Sequence, residues 1–100
     1  QAHGTETLYY HTSKKGKALA GAVQKHIVKA LGLRDRGIKS RQAEDRGGYL
    51  LRYTQAPCVI VEPGFLSNDY DFEILNERKA QYCQALVAAA TEYARDFGLV

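Results

Sequence analysis

Ala56-Pro57-Cys58-Val59-Ile60-Val61-Glu62-Pro63-Gly64-Phe65-Leu66-Ser67-Asn68 is the stretch on which the reading of the fold turns. Cys58 to Val61 form a continuous apolar run rich in β-branched residues, the pattern of a central strand covered on both faces in a sheet sandwiched between helices. Glu62 ends it. Because Pro63-Gly64 then forces the chain to turn, the carboxylate is held at the mouth of the sheet, where open α/β folds keep their chemistry. The same position also suits a plain ion pair with an arginine at the sheet edge.

Upstream, Tyr49-Leu50-Leu51-Arg52-Tyr53-Thr54 is too brief for periodicity to separate helix from strand. Leu33 to Gly48 is charged and punctuated by glycine, so a loop is expected with a short extended piece around Ile38, its arginines and lysines forming a solvated surface. Before it, Ser13 is a suitable N-cap for a helix through Leu31, with Leu19, Ala20, Val23, Ile27, Ala30 and Leu31 on one apolar stripe and Gly32 as its left-handed C-cap. His26 lies at the boundary of that stripe. Thr5 to Tyr10 reads as a strand entered through Gly4, with Thr7 and Tyr9 sharing a face.

Downstream, Ser67 or Asn68 caps a short helix whose first turn holds Asp69, Asp71 and Glu73, well placed against the positive helix end. Phe72 with Ile74 or Leu75 should pack it down. A last helix from about Glu77 to Phe97 carries Ala80, Cys83, Val87, Ala90, Ala94 and Phe97 at helical spacing, widened by Leu86 and Tyr93. Small residues allow close approach, so this helix is expected to cover the strand that carries Glu62.

A chain of 100 residues, 45% hydrophobic with two prolines and no low-complexity run, is one globular unit. It is thin for a sheet with helices on both sides, which points to a piece of a larger domain. Gln1-Ala2-His3-Gly4 leading straight into a strand, with no initiator Met, points the same way. No apolar run approaches the ~18 residues of a membrane span, so none is expected. A net charge of +3 is weak support for a polyanionic partner, and the basic loop and tyrosines lack the alternation of a nucleic-acid surface, so no nucleic acid is expected. Cys58 and Cys83 have neither metal-site nor redox-motif spacing and read as small buried hydrophobes, with a disulfide between them left open.

Five segments taken in order carry a resemblance: Gly4-Thr5-Glu6-Thr7; Ser13 with Leu19-Ala20; Leu31 to Lys39; Leu51-Arg52-Tyr53-Thr54-Gln55-Ala56-Pro57; and Val61 to Asn68. Together they resemble the C-terminal portion of the zinc-dependent N-acetylmuramoyl-L-alanine amidases of the type 3 group, found in bacterial autolysins and phage endolysins. The resemblance implies an α/β fold, a mixed sheet flanked by helices similar to zinc carboxypeptidases and aminopeptidases, incomplete here, with residues 1–100 forming the C-terminal part of one catalytic domain. It implies hydrolysis of the amide between N-acetylmuramic acid and L-alanine in peptidoglycan, outside the cytoplasm. Glu62 matches the family's catalytic acid/base, the group that takes a proton from a metal-acidified water and protonates the leaving amine.

The family's zinc is held by a His, a Glu and a second His that precede the Gly-Thr-Glu strand, so the ligands are expected upstream of residue 1 or from a second chain. His3 is the nearest substitute, and His11 and Glu6 are weaker ones; the chain's three histidines have no paired spacing. Arg52 is the candidate for contact with a substrate carboxylate or carbonyl, against a structural pairing with an acidic neighbour. The competing reading is a non-catalytic wall-binding or partner-binding module that keeps the fold without its metal.

Overall fold

A computed structural model describes residues 2–52 and 56–99. Its sheet has three strands: β1 (Thr5–Tyr10), β2 (Asp35–Arg41) and β3 (Val59–Glu62). β1 lies in the middle, parallel to β2 and antiparallel to β3. The sheet is therefore mixed, as expected, but the central place falls to β1. Thr5 to Leu8 are buried, whereas every residue of β3 is half-buried. A short run rich in β-branched residues suits any half-buried strand and does not say how many neighbours it has.

The expected loop after Gly32 is corrected. Asp35-Arg36-Gly37-Ile38-Lys39-Ser40-Arg41 is a seven-residue strand. Its alternation is broken by a bulge: Thr5 pairs with Asp35 but Thr7 with Ile38, so β2 spends one extra residue at Arg36-Gly37. Gly37 takes φ 80° there, and its N–H donates to Asp35 Oδ1 at 2.8 Å. Its four charged residues, Asp35, Arg36, Lys39 and Arg41, together with Gly37, give this strand the composition of a loop.

α1 (Lys14–Leu31) begins and ends as expected. Ser13 Oγ accepts from Gly16 N at 2.8 Å, and Gly32 at φ 68° donates its N–H to Val28 O. Ala20, Val23, Ile27 and Leu31 are buried in one core. α4 (Lys79–Asp96) lies mainly along α1, and its buried residues are Ala85, Ala89 and Tyr93, with Tyr82 and Leu86 partly covered. Val59 and Val61 of β3 reach that same core. The expected stripe is thus out of phase: Val87 is 67% exposed and Cys83 is on the surface. An alanine-rich helix offers small apolar residues all round, and the bulkier Tyr82, Leu86 and Tyr93 decide which side turns inward.

α3 (Asp69–Glu77) is capped by Asn68, whose Oδ1 accepts from Asp71 N at 3.0 Å. Ile74 is buried beneath it, whereas Phe72 is exposed. Between α3 and α4, Arg78 Nη1 donates to Leu31 O at 3.0 Å, closing the carbonyl end of α1. On the other side of the sheet the undecided run is a helix, α2 (Gly48–Arg52); Tyr53 and Thr54 lie outside the described residues. Leu51 is buried there, and Gly47 sits so close over the sheet that a Cβ would come within 2.8 Å of Ile60 Cδ1. Among the described residues, no helix is long and apolar enough to cross a membrane.

Candidate active site

Glu62 ends β3, and the turn behind it is pinned from three directions. Thr5 Oγ1 donates to Pro63 O at 2.7 Å. Asp71 Oδ2 accepts from Phe65 N at 3.0 Å and from Gly4 N at 2.8 Å, so one buried carboxylate joins the start of β1 to the turn after β3. Gly64 packs so closely that a Cβ would stand 3.0 Å from Leu75 Cδ1. A carboxylate on a strand end, backed by a turn this constrained, keeps its position.

The face that Glu62 occupies follows from register. Glu6 stands opposite Glu62 and Leu8 opposite Ile60, so by strand alternation these four side chains share the face away from α1. Two carboxylates directly across from one another repel unless cations intervene. Arginines intervene here. Arg36 Nε donates to Glu6 Oε1 at 2.8 Å, with Arg41 farther off at 3.9 Å, and the Arg36 guanidinium lies over the Phe65 ring 5.1 Å from its centre. Arg46 Nη2 lies 2.9 Å from Glu62 Oε2. Glu6 is almost wholly buried, while the Glu62 side chain is 23% exposed and opens on a cavity of ≈ 370 Å³ walled by Arg46, Gly64, Phe65 and Leu66.

Both alternatives weighed for Glu62 from sequence are therefore present at once: it pairs with an arginine and it faces a cleft. The remaining candidates separate. His3 is exposed at the same end of the sheet, its carbonyl accepting from Arg36 Nη1 at 3.5 Å. Among the described residues, no three His, Cys, Asp or Glu side chains gather in a way that could hold a metal ion. The side chains described here thus do not fit a zinc site. Arg52 lies at the opposite end from Glu62, lining a cavity of ≈ 500 Å³ with Tyr10, Ser13, Leu51 and Cys58. That cavity includes Cys58, the residue just before β3, whereas Glu62 is the residue that ends β3. His11, which follows the last residue of β1, is likewise remote from the start of β1 where Glu6 faces Glu62.

Of the Glu62 neighbourhood, sequence offers Glu6 only as a weak stand-in for a metal ligand, and Arg46 not at all. Glu6 was legible in principle, since alternation from Thr7 and Tyr9 places Glu6 with Leu8 on the other face. Arg46 was not, because an arginine in a charged loop carries no sign of the carboxylate it meets. Both cysteines are free thiols, Cys58 half-buried and Cys83 exposed, which corrects their reading as buried hydrophobes.

The sequence pattern of the family described as N-acetylmuramoyl-L-alanine amidase matches residues 1–92. An uncharacterized cell wall amidase of Bacillus anthracis is 35% identical over 102 residues, covering 92% of this chain and 18% of that protein. The N-acetylmuramoyl-L-alanine amidase LytC of Bacillus subtilis is 32% identical over 97 residues, 93% of this chain and 18% of LytC. In three dimensions, the crystal structure of N-acetylmuramoyl-L-alanine amidase from Clostridium difficile 630 superposes with a TM-score of 0.81 at 30% identity, over 95% of this chain and 50% of that one. The chain thus spans about half the length of that solved structure and under a fifth of these two curated relatives. Mixed sheet, flanking helices and a match over residues 1–92 agree: the chain belongs to the N-acetylmuramoyl-L-alanine amidase family.

Proposed function

We propose that this chain is the C-terminal part of a single catalytic domain that hydrolyses the amide between N-acetylmuramic acid and L-alanine in peptidoglycan, with Glu62 as the acid/base. The observation that carries this is the position of Glu62: a partly exposed carboxylate on a strand end, facing a cleft, with its turn fixed by Asp71 and Thr5. Glu62 removes a proton from the attacking water as its oxygen bonds to the amide carbonyl carbon. It then delivers a proton to the nitrogen as the C–N bond breaks, releasing a lactyl carboxylate and the free amine of alanine. Phe65 and Leu66 give one side of the cleft an apolar wall.

Zinc dependence belongs to this proposal too, with ligands from outside the described residues, as does work on the wall outside the cytoplasm, in keeping with the cell-wall relatives. A non-catalytic wall-binding module gains nothing from these neighbours, which include amidases. The test is Glu62→Gln in the full protein that carries this chain. Release of new alanine amino termini from purified walls should fall by about 10²–10⁴-fold, with circular dichroism unchanged. Turnover at the parental rate would remove Glu62 as the acid/base.

A further inference from the structure

The ion pair on Glu62 poses a question that the reaction alone does not answer. A guanidinium 2.9 Å from Glu62 Oε2 occupies one of the two oxygens with which the base can meet a water, and its withdrawal opens both oxygens to the attacking water. The arginine nearest each of the facing carboxylates behaves differently. Arg36 is 28% exposed in its side chain, donates to a nearly buried Glu6 and stacks on Phe65, so it is committed to the architecture. Arg46 is 77% exposed, and a pair this open to solvent is weak and readily exchanged.

The backbone that carries Arg46 is held firmly. Gln42 N donates to Asp45 Oδ2 at 2.7 Å, Asp45 N to Gln42 O at 3.0 Å, and Gly48 N to Asp45 O at 2.9 Å. Gly47, at φ 83°, then presses the loop onto Ile60. A fixed base with a long, exposed guanidinium is a cation that can swing within one cavity without leaving it. Of what an amidase substrate brings close to the scissile bond, the sugar side offers hydroxyls and an acetamide, which are neutral. The peptide side offers carboxylates, which a guanidinium can hold with two parallel hydrogen bonds.

Resting on the Glu62 reading, we propose that Arg46 is a specificity-determining residue: it leaves Glu62 for a carboxylate on the peptide side of the scissile amide, binding the substrate and freeing the base in one movement. Substrates with a neutral group at that position leave Arg46 on Glu62 and turn over poorly. The measurement uses the full protein and two synthetic N-acetylmuramoyl-L-alanyl dipeptides, identical except that the residue after alanine ends in a free carboxylate or in a primary amide. The parent should prefer the carboxylate by about tenfold or more in kcat/KM, a factor of the size a charge-assisted pair supplies. Arg46→Ala should bring that ratio close to one, and Arg46→Lys, which keeps the charge but loses the planar fork, should leave it in between.

A parental ratio near one, or an Arg46→Ala enzyme that discriminates as the parent does, overturns the proposal. Glu62→Gln, measured on both substrates, separates the two readings. If it is inactive on both while Arg46→Ala keeps the parental ratio, the Arg46 assignment fails and the acid/base assignment stands. If Glu62→Gln remains active, the acid/base assignment itself fails, and the Arg46 proposal with it.

Discussion

The two faces of β1 carry polar residues at alternate positions and handle them in opposite ways. Toward α1, Thr7 Oγ1 donates to Gln24 Oε1 at 3.0 Å, and Gln24 Nε2 donates to Thr5 O and to Asp35 Oδ1, each at 2.8 Å. Thr5, Thr7 and Gln24 are all buried, and among the described residues no buried side-chain nitrogen or oxygen lacks a partner. That face is settled by mostly neutral hydrogen bonds that cannot be exchanged for water. Away from α1, Glu6 and Glu62 are balanced by arginines that reach solvent. The contrast teaches where change is affordable: one face fixes the sheet, and the other keeps its charges within reach of solvent.

The largest effect on stability is therefore expected on the quiet face. Gln24→Leu nearly keeps the volume but leaves the Thr7 hydroxyl buried without a partner and takes a donor from the Thr5 carbonyl and from Asp35, a loss of about 2–3 kcal/mol. Urea unfolding of the full protein should show a lower midpoint at unchanged slope. A loss under about 1 kcal/mol would mean that water reaches these groups, and the contrast would weaken. On the charged face, Glu6→Gln should cost less, about 1–2 kcal/mol, because Arg36 is partly exposed and can rehydrate while still resting on Phe65. If Glu6→Gln proved as costly as Gln24→Leu, both faces would have to be regarded as structural.

Much of this layout is legible in sequence where local chemistry decides it. Ser13 and Gly32 bracket α1 because capping depends on a side-chain oxygen and a left-handed glycine at set positions. Glu62 at a strand end before a turn follows in the same way from a β-branched run that meets Pro-Gly. Legibility ends where the answer lies in a distant segment. The bulge at Arg36-Gly37 hides β2, since one extra residue destroys the alternation by which strands are recognised. The phase of α4 was open because alanine packs inward or outward at similar cost, and contact with α1 made the choice. Arg52 seemed close to Glu62 because it is close in sequence. Crossing β3, however, carries the chain from one end of the sheet to the other, and Arg46, farther away along the chain, is the arginine that arrives.

The smallest expected effect provides a reference for what a solvent-facing pair is worth. Where α4 lies along α1, Lys25 Nζ donates to both oxygens of Glu92, at 2.8 and 2.9 Å, and His26 Nε2 lies 3.2 Å from Glu92 Oε1. The Lys25 hydrogen bond first, and the His26 contact second, hold the Glu92 carboxyl below its ordinary value of 4.5. A carboxyl lowered in the folded state contributes stability that is present above that ordinary value and is lost as the pH falls through the lowered one. Glu92→Gln should thus melt slightly below the parent at pH 7 in low salt. The gap should narrow as the pH falls below 4.5, and also in molar salt, where exposed pairs are screened. A gap that survived both treatments would show that exposed pairs in this fold are stronger than their solvation implies. The ready exchange asked of Arg46 at Glu62 would then lose its physical basis.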